Sequence, residues 1–148
     1  MKRSREAGFS LIEVIVALGL LGGILLSVAG MFLLGERQVM RGRNQSYALS
    51  ISRTILEEVG GWSHEATWER FGMTGTNATQ TIDTQTNSFA TKWQPLLDET
   101  LHTAAAEIRV ESCDGSSLDT APALRVIVRV WWDERTERRD VELSLVRL

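Results

Sequence analysis

Among the residues able to do chemistry, Glu13 stands in the least ordinary place. From Phe9 to Leu34 the chain reads FSLIEVIVALGLLGGILLSVAGMFLL, and Glu13 is its only charge. A lone carboxylate near the end of an apolar helix costs roughly a few kcal/mol in lipid unless it is partnered. The other reactive side chains are scattered. His64 and His102 form no spaced metal motif, and no string such as GxSxG supplies a nucleophile. Cys113 is the sole cysteine, which excludes an intramolecular disulfide and a multi-cysteine metal site. Asp114, Asp119 and nearby carbonyls could form a calcium loop, but their spacing misses the EF-hand pattern and an ordinary turn is the simpler reading. Asn77-Ala78-Thr79 fits a glycosylation sequon within a Thr-rich stretch, where the tripeptide also arises by chance. No cofactor, metal or catalytic residue is expected, and the chain is not read as an enzyme.

Stepping from Glu13 to the element that carries it, residues 9–34 form a segment of about 39 Å as a helix, longer than the roughly 30 Å hydrocarbon core of a bilayer. The stretch is too long for a secretory signal peptide, whose apolar part runs to about 7–15 residues. A plain signal anchor is the bland alternative. Basic residues do not orient the span, because Lys2, Arg3 and Arg5 on one side face Arg37, Arg41 and Arg43 on the other. Over residues 35–59 the helical pattern continues but becomes amphipathic. Tyr47, Ile51, Ile55 and Val59 recur every four residues beside Ala48 and Leu56, with Arg43, Gln45, Ser50, Arg53 and Glu57 among the rest. Gly60-Gly61 is the expected stop. One helix from about Ser10 to Val59 is predicted, roughly 75 Å long.

Residues 60–148 are expected to form a globular head. Residues 72–92, rich in Thr, Asn, Gln and Ser, read as a surface loop. Alternation then predicts antiparallel strands near 106–112, 124–133 and 140–148. Leu124, Val126, Val128, Val130 and Trp132 share one face, as do Val141, Leu143 and Leu145. Cys113–Ser117 holds turn formers, and the polar run Asp133–Arg139 reads as a connection. The apolar face of this meander should cover the helix stripe while the Arg and Glu positions face water and can pair across strands. The fold class is therefore α+β, a long N-terminal α-helix packed by its second half on a C-terminal antiparallel β-sheet head. Most of the five Trp should be core, with Trp131 on the outer face free to meet a neighbouring subunit. The formal charge is −3. Without residues 1–8 it becomes −5, since 16 − 3 = 13 basic residues then oppose 19 − 1 = 18 acidic ones. Such a chain is a poor candidate for nucleic-acid binding.

The string Gly8-Phe9-Ser10-Leu11-Ile12-Glu13-Val14, after a short basic leader, resembles the processing and methylation motif of type IV prepilins and type II secretion pseudopilins. The resemblance covers Met1 to about Val59, and the head matches in architecture only. It implies cleavage after Gly8 by prepilin peptidase on the cytoplasmic side and N-methylation of the new terminus, Phe9. Glycine suits such a site because it has no side chain to obstruct a protease. The resemblance also implies that Glu13 pairs with the N-terminal amine of a neighbouring subunit during assembly. A cut at Gly8 precedes the apolar stretch, so the subunit stays in the membrane.

By the same resemblance the chain is a single-pass protein of the bacterial inner membrane, N-terminus cytoplasmic and head periplasmic, which then enters a filament. Its implied partners are prepilin peptidase, other pilin or pseudopilin subunits through the N-terminal helix, and the inner-membrane assembly platform. Gly19, Gly22, Gly23 and Gly30 allow close helix packing. Major pilins of the family often carry a proline near Gly30, and this chain has glycine there. A single cysteine excludes the disulfide-closed C-terminal loop of many major pilins. A Trp-containing middle strand looks more like minor pilins and pseudopilins at a filament tip. The competing reading is a membrane-anchored periplasmic binding domain that does not polymerise. A tether would release into a flexible linker after Leu34, whereas here the amphipathic helix runs on.

Overall fold

The computed structural model describes residues 10–134 and 137–148. The long helix α1 spans Leu11–Gly60, and a short helix α2 spans Ala66–Glu69. Strand β1 (Thr79–Asp83) precedes a 3-10 turn at Ala90–Trp93 that leads into α3 (Gln94–Thr100). Strands β2 (Ala105–Ser112), β3 (Leu124–Glu134) and β4 (Glu137–Arg147) follow. The sheet is antiparallel throughout in the order β1-β2-β3-β4, and the fold is α+β. The chain divides into two compact units within α1, one ending at Arg41 and the other beginning at Gly42.

The second unit holds the core. Alternation in β3 puts Leu124, Val126, Val128, Val130 and Trp132 inside, where they meet Ile108 and Val110 of β2 and the buried stripe of α1. That stripe is Ala48, Ile51, Ser52, Ile55, Leu56 and Val59. Tyr47, expected to belong to it, is 41% exposed. The reason is helical drift: a strict four-residue spacing advances about 40° per step, so the series that puts Ile55 and Val59 at the centre carries Tyr47 off the flank. Ser52 fits inside because its hydroxyl donates to the Ala48 carbonyl at 2.8 Å. Ile127 departs from the alternation in the other direction. It lies on the outer face yet is buried, flanked by Arg109 of β2 and Ser144 of β4 as direct cross-strand partners.

Three further differences from the sequence reading have physical causes. The segment 72–92 is not wholly loop, since β1 lies within it and pairs with β2 from Thr79↔Glu111 to Asp83↔Glu107. An edge strand has little to bury, and β1 carries a single aliphatic residue, Ile82, so no alternation announces it. Most of the polar run Asp133–Arg139 is strand as well, paired Trp132↔Arg139, Asp133↔Arg138 and Glu134↔Glu137. There the ladder is kept by backbone bonds and the cross-strand pair of Arg138 with Asp133 at 3.4 Å, with Arg139 to Glu137 at 2.8 Å running along β4, without apolar burial. Finally, α1 does end at Gly60, but neither Gly60 nor Gly61 adopts a positive φ. The final carbonyls are instead met by Arg147, whose Nη1 donates to Val59 O at 3.4 Å and Gly60 O at 3.2 Å. Gly60 also needs to be small, because a Cβ there would meet Leu145 Cδ2 at 3.1 Å.

Around the end of α1 an aromatic cluster closes the core. Trp62, Phe71, Phe89 and Trp93 pack with centroid separations of 5.4–6.2 Å, mostly tilted or edge-on as ring quadrupoles prefer. Lys92 lies over Phe89 and Trp93 and pairs with Glu58 of α1, while Trp93 Nε1 donates to Glu58 Oε2 at 3.2 Å. Asn87 sets up the approach, its Oδ1 accepting from the amides of Phe89 at 3.1 Å and Ala90 at 3.0 Å, in the manner of a helix N-cap.

Candidate functional site

In the first unit, the helix opens at Ser10, whose carbonyl accepts from Glu13 N at 3.0 Å and Val14 N at 3.2 Å. Glu13 thus sits in the first turn of α1, where the unpaired amides and the helix dipole favour negative charge. Its side chain is exposed and shares one open face with Val14, Ala17, Leu18 and Leu21. Gly8 and Phe9 lie outside the described residues.

The segment carrying Glu13 has no intrachain use for its hydrophobicity. The apolar window of α1 is 0% buried within the chain, with Leu11 at 78% and Leu26 at 77% exposure. Exposed apolar surface on this scale marks a membrane or protein contact. In lipid the backbone must satisfy itself, which an uninterrupted helix does. Within it, Ser27 folds its hydroxyl back to Gly23 O at 2.8 Å, so even that polar group is internally paired. A Cβ built at Gly19, Gly22, Gly23 or Gly30 would meet nothing within 4 Å. These glycines therefore answer no packing need inside the chain, and they leave notches that another helix could enter.

The remaining sequence candidates fall apart spatially. Among the described residues, His64 and His102 lend backbone carbonyls, to Thr67 N at 3.2 Å and Asp133 N at 3.3 Å. Among the described residues no group of His, Cys, Asp and Glu could hold a metal ion. Asp114 accepts from the Ser116 hydroxyl at 2.6 Å and amide at 3.0 Å, and these two bonds hold its carboxyl below the ordinary range. Asp119 instead donates its amide to Gly75 O at 3.1 Å, so the two aspartates serve separate turns. Gly115, between them in chain terms, has φ of +80° and is the residue that lets the tip reverse. Asn77 is exposed and Cys113 is exposed and unbridged. Trp131 lies on the outer face as expected, with the Arg138 guanidinium 4.1 Å above its ring.

The outer face is tied together by the cross-strand pairing expected of its charged positions. Arg129 Nε donates to Asp140 Oδ2 at 2.9 Å, and this bond together with the Asp140 charge raises its already high pKa. Arg125 reaches Glu111 at 3.1 Å.

The membrane-type helix with an acid in its first turn has a counterpart among known families. Residues 3–33 match the prokaryotic N-terminal methylation motif, the prepilin-type signal of type IV pilins and pseudopilins. The chain carries a prepilin-type signal. That signal and the one long apolar helix among the described residues fit a membrane-anchored single-pass protein. The prepilin-type match stops at residue 33 and leaves the head outside it. No curated protein and no solved structure matches the chain.

Proposed function

We propose that the chain is a structural subunit of a type IV pilus-like filament or type II secretion pseudopilus, of the minor, tip or priming kind. Prepilin peptidase cuts it after Gly8, and Phe9 becomes the methylated N-terminus. Until assembly it resides in the inner membrane as a single-pass protein, N-terminus in the cytoplasm and head in the periplasm, beside the assembly platform. The observation that carries this reading is the coincidence of the prepilin-type signal with an apolar helix that buries nothing inside its own chain.

Glu13 is the assembly contact in this scheme. Cleavage creates an amine at Phe9, and the carboxylate of one subunit pairs with the amine of a neighbour, removing two charges from lipid together. The glycine notches admit the neighbour's helix. Minor status draws on the sheet, whose middle strand carries Trp131 outward and whose single cysteine closes no loop.

Intact-mass analysis of the protein from cells tests the first step, with a mature form starting at methylated Phe9 expected and an unprocessed terminus refuting it. Glu13→Ala tests the second. The variant should insert and be processed yet co-purify poorly with partner subunits, and normal incorporation would refute the pairing.

A further inference from the structure

We infer that α1 carries a soft joint over Gly35–Ser46, where the helix opens locally in water while the span and the head stay folded. The inference rests on α1 crossing the membrane with its span ending near Leu34. Residues 14–35 hold no charge, whereas Glu36, Arg37, Arg41 and Arg43 place the stretch that follows in water. The first buried side chain of the head stripe is Ala48. Before it, every residue from Met31 to Arg43 is exposed, Val39 at 72% and Met40 at 46% among them. Arg41 does interact within the chain, yet it stays exposed, so burial does not support the helix there.

A helix in this position has to hold itself, and stretches shorter than about 12–15 residues are marginal in water. Two details weaken it further. Glycine lowers helix stability by about fourfold to fivefold relative to alanine, and nothing lies within 4 Å of a Cβ built on Gly35 or Gly42, so no packing requires glycine at either place. Ser46 turns its hydroxyl back to Gly42 O at 2.9 Å, a bond that bends and slightly destabilises helices. The flanks are better secured. Glycines of the span are held helical because an unpaired backbone group finds no partner in lipid. From Ala48 onward the stripe of α1 belongs to the buried core. The stretch between has neither support, and the two compact units divide within it, between Arg41 and Gly42. Opening there uncouples the head from the span without disturbing the packing of either, which suits a subunit that must leave a bilayer for a filament.

Hydrogen exchange of the full-length chain in lipid nanodiscs tests the joint. Amides of residues 37–46 should exchange about a hundredfold or more faster than those of residues 50–58. Gly42→Ala should slow them by about fourfold to fivefold and leave head melting unchanged. Limited trypsin digestion gives a second reading. On the head side of the span the first cut should fall after Arg37, Arg41 or Arg43, and Gly42→Ala should slow it by the same factor. Equal protection of residues 37–46 and 50–58 overturns the joint, as does a first cut inside the sheet. Exchange that Gly42→Ala leaves unchanged overturns it too. Carbonate extraction of the same chain from vesicles reports the span separately: a chain that resists extraction but shows even protection keeps the membrane reading and loses the joint, whereas an extracted chain loses both.

Discussion

Residues 11–34 and residues 42–60 of α1 share one helical backbone, yet the first segment buries nothing inside the chain and the second buries a stripe of six side chains. Composition separates them. In the first, apolar residues occupy every face, which suits a helix whose surroundings are lipid or other helices. In the second, Arg53, Thr54, Glu57 and Glu58 break the apolar surface so that one side faces the sheet and the other water. Helicity alone is thus uninformative about environment, and the angular distribution of apolar residues decides it.

A charge placed in each segment breaks or confirms this contrast. Val128→Glu, opposite the stripe and fully buried, should cost about 3–5 kcal/mol, a large share of the ~5–15 kcal/mol available to a small domain. Ile55→Glu should do the same from the helix side. Leu26→Glu, at 77% exposure in the other segment, should leave head unfolding unchanged and impair membrane insertion instead. Thermal melts in detergent followed by tryptophan fluorescence, with carbonate extraction of membranes, measure both. A head destabilised by Leu26→Glu would mean that the first segment contributes to the core after all.

The next effect is smaller and lies at the junction of helix and head. Glu58 accepts from Trp93 Nε1 and pairs with Lys92, so Glu58→Ala strands a buried indole N–H. That should cost about 1–3 kcal/mol. Lys92→Ala removes only a partly exposed partner and should cost less than about 1 kcal/mol. If the lysine variant were the worse of the two, the ion pair and its cation–π contacts would matter more than the indole bond.

How much of this was legible beforehand follows the same division. The membrane-type segment could be read because a long charge-free run has few alternatives in water. The three long strands could be read because alternation in β3 is tied to burial on one face. Strand β1 and the polar start of β4 were not legible, since their pairing rests on backbone bonds to β2 and β3 that leave no periodic trace in Thr79–Asp83 or Glu137–Asp140. Tyr47 was misplaced because a four-residue repeat only approximates the helical period. The Arg147 cap joins residues far apart in sequence, and no local pattern encodes it. Of the candidate site, Glu13 stood out by its isolation, and the roles given to Gly8 and Phe9 came through the resemblance.

On the solvent face of the sheet the expected losses shrink further. Arg129→Ala removes the bond to Asp140, but both side chains are more than a third exposed, so no more than about 0.5–1 kcal/mol should be lost. The contrast with Val128→Glu, one residue away, tests the face assignment directly, and equal melting points for the two variants would invert it.

The smallest effect should come from Asp83, and its size depends on pH. Burial alone would raise this carboxyl, but the Thr86 amide and hydroxyl and the Gln85 amide outweigh it and lower the pKa below the ordinary 3.8. Asp83 Oδ1 accepts all three bonds at 2.8–3.0 Å. A carboxyl whose pKa is lower in the folded chain binds fewer protons there than in the unfolded one, so its contribution is complete above about pH 4 and disappears as pH falls through the folded value. Asp83→Asn keeps an oxygen in place for the same turn but cannot ionise. Melting the wild type and the variant side by side from about pH 6 to pH 2 should show the wild type ahead at the upper end and the two converging at the lower. A difference that widens with acid would mean that the protonated carboxyl is the favoured form in the turn, and that the bonds at the β1 end stabilise the loop without stabilising the charge.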